Sequence, residues 1–138
     1  MPLADSASMV ATVASACLAG VQAQLVQVEA ELSAGLPQCN IIGLGDAAVQ
    51  EARYRIQAAL RASDSGLPSK RVTMNLAPAG LRKDGSALDL PMALGLLVAA
   101  DELSSETIDG SLAMGELALS GKLRPVRGVL AAAALAKK

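Results

Sequence analysis

Three runs in this 138-residue chain combine residue types and spacings that chemistry could use. Gly43-Leu44-Gly45-Asp46-Ala47-Ala48 matches G-x-G-x-x-A, the pattern that lets backbone approach a pyrophosphate at a helix N-terminus. Asp46 would set a negative charge where phosphate should sit, and the following strand, Arg71–Leu76, ends without an acid for a ribose. The run is better read as a tight strand-to-helix turn. Gly115–Leu123, GELALSGKL, approaches a phosphate loop, but its glycines stand one residue too far apart. Leu123 also replaces the magnesium-binding hydroxyl, so a Gly-Lys hairpin turn is the reading and no ATP site is assigned there. The third run pairs Lys83-Asp84-Gly85-Ser86 with Gly115-Glu116-Leu117 and Leu123-Arg124-Pro125-Val126-Arg127-Gly128. It holds a hydroxyl in a polar loop and several cations.

The elements that must position these runs follow from periodicity. Val26, Val28, Ala30 and Leu32 alternate with Gln27, Glu29 and Glu31, which predicts a strand over Leu25–Leu32 with one wet face. Val10–Leu18 pairs with it across Ala19–Gly20, and Cys39–Leu44 adds a short buried strand, giving an antiparallel meander. Asp46 is a suitable N-cap for a helix to about Ala62, with Glu51 and Arg55 as a favourable i,i+4 pair. Ser63–Ser69 closes this helix with Gly66 and Pro68, and Arg71–Leu76 alternates again. The polar loop Ala77–Ser86 leads into an apolar helix from Leu88 to Ala100, with Pro91 harmless in its first turn. Ser86 is placed to cap it. Leu112–Leu119 and Leu123–Val126 form a hairpin, and Val129–Lys138 starts a helix without a stop signal. The order β-β-β-α-β-α-β-β-α predicts an α+β sandwich, a mixed sheet with helices packed on one face.

Composition bounds the function. The core must be built from Leu, Val, Ile, Met and Ala, because Tyr54 is the sole aromatic residue. That shortage weakens the case for a base-stacking platform for single strands. The net charge is −1, yet residues 1–52 carry five acids and no base, while residues 53–138 carry all twelve Lys and Arg against eight acids. Solvated surface charge is the plain reading of that excess; a basic face toward a partner or DNA is the other. Cys17 and Cys39 have no CxxC spacing and the chain has no His, so an ordinary zinc site is excluded and two buried free thiols are expected. The small-residue N-terminus lacks a basic region and contains Asp5, unlike a signal peptide. With no stretch long enough to span a bilayer, a cytoplasmic location without membrane contact is expected.

The Lys83–Ser86 and Gly115–Gly128 runs resemble the active-site stretches of Lon-type proteases, which supply a serine nucleophile and, later, a lysine base. Placing them on this chain puts the serine at Ser86 and the lysine position at Leu130, which cannot accept a proton. The resemblance therefore implies a degenerate site with no catalytic residues. GLPQCNIIGLGDAAVQEARYRIQAAL, KRVTMNLAPAGLRKDGSALDLPMALGLL and MGELALSGKLRPVRGVL together resemble the N-terminal domain of the Mg-chelatase-like AAA+ ATPase family, of ComM and YifB type. Gly45 departs from it, a proline being more usual there.

That resemblance implies a ribosomal protein S5 domain 2-like fold and one Lon-like N-terminal domain over residues 1–138. The domain's last elements and a AAA+ ATPase module would follow. The fragment itself is expected to bind no cofactor or metal and to be no enzyme, with ATP and Mg2+ used by the full-length protein. The whole protein is expected to be a homo-oligomer, a hexameric ATP-driven motor promoting DNA branch migration in natural transformation. Within it this domain would contact its own AAA+ module and help a ring assemble or guide DNA. Arg82, Lys83, Arg124 and Arg127 are the candidate contacts to nucleic acid or partner. A purely assembling module and a residual Ser86-dependent hydrolase are the alternatives.

Overall fold

The computed structural model describes residues 9–64 and 70–137. The expected turn at Gly66 and Pro68, the charge at Asp5 and the end of the chain at Lys138 lie outside the described residues. Strands β1 (Met9–Ala19) and β2 (Gln22–Ser33) form a long antiparallel ribbon joined at Gly20-Val21. After β3 (Gln38–Ile42) the chain enters helix α1 (Ala47–Ala62) and returns as β4 (Arg71–Ala77). Helix α2 (Asp89–Ala99) follows, then the two-residue strands β5 (Glu116–Leu117) and β6 (Leu123–Arg124), and helix α3 (Val129–Ala136).

The main sheet runs β1-β2-β4-β3, with β2 antiparallel to both β1 and β4 and β3 parallel to β4. This corrects the expected meander. The third strand does not turn back on β2; β4 is inserted between them, and α1 is the crossover that parallel neighbours require. The expected hairpin near the end shrinks to β5 and β6, while Leu112 makes one isolated bridge with Ala14 of β1.

Alternation sets the layers. Val13, Val26, Val28, Ala30, Val72, Met74 and Leu76 point to one face, where α1 contributes Val49, Ala52 and Ile56 and α2 contributes Met92 and Leu96. Gly95 of α2 lies so close to the sheet that a Cβ there would stand 3.2 Å from that of Ala30. A core this poor in aromatics closes by such approaches of small residues to the sheet. Helix α3 departs from the expectation that all helices share one face. Its N-cap Gly128 packs on Leu18, which by alternation belongs to the face opposite Val13. Among the described residues no helix is long and apolar enough to cross a membrane.

Candidate functional site

The two polar loops singled out in the sequence meet. Asp84, Gly85 and Ser86 from the β4–α2 loop face Pro125–Gly128 across an open cleft of about 650 Å³, with Glu116 and Cys17 in its wall. The turn before α1 closes one end. Gly43 (φ +114) sits against β4, where a Cβ would collide with the Leu76 carbonyl oxygen, so only glycine serves there. Asp46 then caps α1, its Oδ1 accepting from the Val49 amide at 2.9 Å. Its Oδ2 accepts from the Gly85 amide at 3.2 Å, tying the turn to the cleft loop. The position at which a pyrophosphate would meet the helix is taken by this carboxylate, in keeping with the turn reading of G-x-G-x-x-A.

Lys83 lies elsewhere than the sequence led one to expect. It is fully buried, not a surface cation. Its backbone pairs with the turn, the amide donating to Leu44 O and the carbonyl accepting from Asp46 N, both at 2.9 Å. Its ammonium donates to Gly43 O at 2.7 Å and to Pro78 O. Burial lowers its pKa. A lysine so placed cannot neutralise a phosphate on the surface, and it leaves the set of contact candidates. Arg82, Arg124 and Arg127 remain exposed, and Arg127 lines the cleft.

Ser86 does not cap α2, whose N-cap Leu88 makes no side-chain cap bond. Its hydroxyl instead donates to Glu116 Oε1, while Arg124 Nη1 stands 3.6 Å from Glu116 Oε2. Leu130, at the position of the Lon lysine, is 87% exposed. The cleft thus presents a serine on a carboxylate, with Asp46 and Asp84 as further acids and Arg127 as the cation in its wall. Cys17 is a buried free thiol as expected, with its Sγ 3.9 Å from Arg82 O; Cys39 is also free but only half-buried. Burial raises the pKa of both, and Asp84 raises that of Cys17 further.

Beneath the cleft lies a pair that sequence reasoning missed. Asp89, at the start of α2, is fully buried and receives Arg55 bidentately, Nε–Oδ2 at 2.6 Å and Nη2–Oδ1 at 2.9 Å. Asp89 Oδ2 also accepts from the Leu117 amide at 3.1 Å, and Arg55 Nη2 donates to Ala48 O at 2.6 Å. The carboxylate raises the Arg55 pKa by its hydrogen bond, against the effect of burial. One ion pair therefore fixes α1, α2 and β5, and through β5 it positions Glu116. The expected Glu51–Arg55 contact exists at 3.8 Å as a surface appendage.

The fold defines a mixed α/β domain with a cleft between two polar loops. Residues 28–138 match the family model described as subunit ChlI of Mg-chelatase, and the chain belongs to that Mg-chelatase-like family. It is similar to competence protein ComM of Haemophilus influenzae, 44% identical over 119 residues, covering 86% of this chain and 23% of that protein. It is similar also to YifB of Escherichia coli, 43% identical over 119 residues, 86% of this chain and 24% of that protein. A Mycobacterium tuberculosis protein is 40% identical over 124 residues, 90% of this chain and 25% of that one. The chain spans about a quarter of the length of these curated relatives.

Proposed function

We propose that this chain is a non-catalytic accessory domain, of ribosomal protein S5 domain 2-like fold, in an ATP-driven, DNA-handling AAA+ protein. The observation that carries the first part is the state of the two groups a Ser–Lys site would need. The carboxylate that accepts from Ser86 is itself paired with Arg124, the lysine position holds exposed Leu130, and the ammonium of Lys83 is committed to backbone carbonyls. A serine becomes a nucleophile only with a base free to take its proton. Family membership and the competence protein among the relatives support the second part. ATP and Mg2+ would act in the remainder of the full-length protein, which assembles as a homo-oligomer.

In this reading Arg82, Arg124 and Arg127 touch phosphates without reading bases, so binding depends on salt and hardly on sequence. Titration of the chain with duplex and branched DNA over a series of salt concentrations tests it. An Arg82→Ala/Arg124→Ala variant is expected to flatten the slope of log affinity against log salt by about 2, near one unit per lost phosphate contact. Binding that is absent, or unchanged in the variant, removes the DNA contact and leaves an assembly role. The residual-hydrolase reading draws on the contact between Ser86 and Glu116 alone.

A further inference from the structure

Two surfaces at opposite edges of the main sheet, the segment between α2 and β5 and a corner beside β3, carry opposite charge. At the β1 edge, the segment between α2 and β5 returns to the sheet through the Ala113 amide, which donates to Ala14 O at 2.9 Å. That segment exposes Asp101, Glu102, Glu106 and Asp109. No Lys or Arg occurs anywhere in residues 1–52 or 84–121, so β1, β2, α2 and this segment bring no compensating cation; Arg82 and Arg127 stand against β1 at Cys17 and Leu18, beyond the Ala14 contact along the strand. At the β3 edge the sign reverses. Arg53 reaches Cys39 O of β3, Arg71 begins β4 opposite Gln38, and exposed Arg61 lies in the last turn of α1. Lys122 joins them in the β5–β6 turn, where neighbouring Gly121 packs on Ser63 and Ala59 at the end of α1. Asp64 is the exposed acid at this corner. None of these four acids, nor Arg61, Arg71 or Lys122, takes part in an ion pair among the described residues.

We infer that the acidic β1 edge of one copy docks on the basic corner formed by Arg61, Arg71 and Lys122 of a second copy. The inference rests on the reading of the chain as part of a homo-oligomer, and names the surfaces that meet. Charge complementarity selects the occupant. An isologous contact centred on either edge alone would press acid on acid or base on base, which is repulsive. A contact in which each copy turns its two ends toward different neighbours is heterologous, and repeated heterologous contacts close into a ring or run on as a filament. The edges stand at opposite ends of a four-stranded sheet, so one copy can serve two neighbours at once. Exposed ion pairs are individually weak and screened by salt, so the isolated chain associates only at high concentration and low salt. Linkage to the rest of an oligomer raises the local concentration and makes the same contact effective.

Sedimentation velocity and equilibrium on three forms of the chain test this. The wild type is expected to associate as concentration approaches about 1 mM at low salt. At about 1 M salt, where the Debye length falls to ~3 Å, it should revert to monomer. The loop-reversed form (Asp101→Lys/Glu102→Lys/Glu106→Lys/Asp109→Lys) and the corner-reversed form (Arg61→Glu/Arg71→Glu/Lys122→Glu) should each be monomeric alone. Mixed together they should associate again, because each then offers the other a complementary edge. A monomeric wild type, association indifferent to either reversal, or a mixture that fails to associate would overturn the inference. A monomeric wild type whose binding in the DNA titration is lost only in the corner-reversed form would overturn the inference and assign that corner to nucleic acid. The Arg82→Ala/Arg124→Ala variant should associate like wild type, which separates this contact from the DNA reading.

Discussion

Replacing Asp89 with alanine should cost the folded chain about 3–5 kcal/mol, the range for breaking one side of a buried ion pair. The variant leaves the Arg55 guanidinium, whose side chain is only 20% exposed, facing a cavity without a countercharge. It also leaves the Leu117 amide without its acceptor. Urea denaturation followed by far-UV circular dichroism measures the loss. Asp89→Asn, which keeps an acceptor oxygen but no charge, should fall between wild type and alanine. The double variant Arg55→Met/Asp89→Leu should lose much less than the sum of its single changes, because removing both charges avoids stranding either. If Asp89→Ala costs under about 1 kcal/mol, the pair does not hold α1 to α2 as described.

Lys83→Ala should be destabilising by about 3–5 kcal/mol as well, for a different reason. Truncating a fully buried long side chain leaves a cavity worth about 2–5 kcal/mol. Stranding the Gly43 carbonyl costs ~1–3 kcal/mol, softened where water can enter, whereas the Pro78 carbonyl keeps the Leu81 amide as a donor at 3.2 Å. Lys83→Met fills the volume but restores neither hydrogen bond, so it should recover only the packing part. The charge adds a pH signature. Burial lowers the Lys83 pKa below its ordinary 10.5, so in that window the unfolded chain holds a proton that the folded chain has released. The sign follows: wild-type stability, relative to Lys83→Met, rises as pH climbs through the lowered pKa toward 10.5. A difference that stays constant as pH approaches 10.5 would contradict the burial of this ammonium.

Much of the scaffold can be read from the residues, because each element carries its own signal. The period-two run through Val26, Val28, Ala30 and Leu32 became β2, and Asp46 caps α1 as its position before Ala47 indicates. What could not be read is which elements become neighbours. The apolar run at Cys39–Leu44 predicts a buried strand but not which strand lies beside it; β3 lies at the sheet edge with Ile41 as its buried residue. The parallel pairing with β4 is decided by the crossover of α1. Arg55 and Asp89 are 34 residues apart, and nothing local distinguishes them from surface charges; Glu51, four residues before Arg55, supplied a ready but weaker partner. Lys83 was misleading because it sits between Arg82 and Asp84 in a polar loop. The signal that could have revealed it is the bend at Gly43, whose carbonyl takes the Lys83 ammonium as donor.

The cleft shows the same division. Bringing the Ser86 loop beside Pro125–Gly128 follows from the Lon-like order of the runs, and the geometry agrees. The role of Glu116 was not legible, since a glutamate following Gly115 gives no hint that it will accept the Ser86 hydroxyl. That contact also replaces the helix-capping role expected of Ser86. Its partner is a carboxylate shared with Arg124.

The central claim is that this cleft does no covalent chemistry, and the reactivity of Ser86 tests it most directly. The chain should be incubated with an excess of a fluorophosphonate probe, and its intact mass compared with that of Ser86→Ala. The account predicts no adduct on the wild-type chain. A stoichiometric adduct that disappears in Ser86→Ala would contradict it and establish Ser86 as an activated nucleophile.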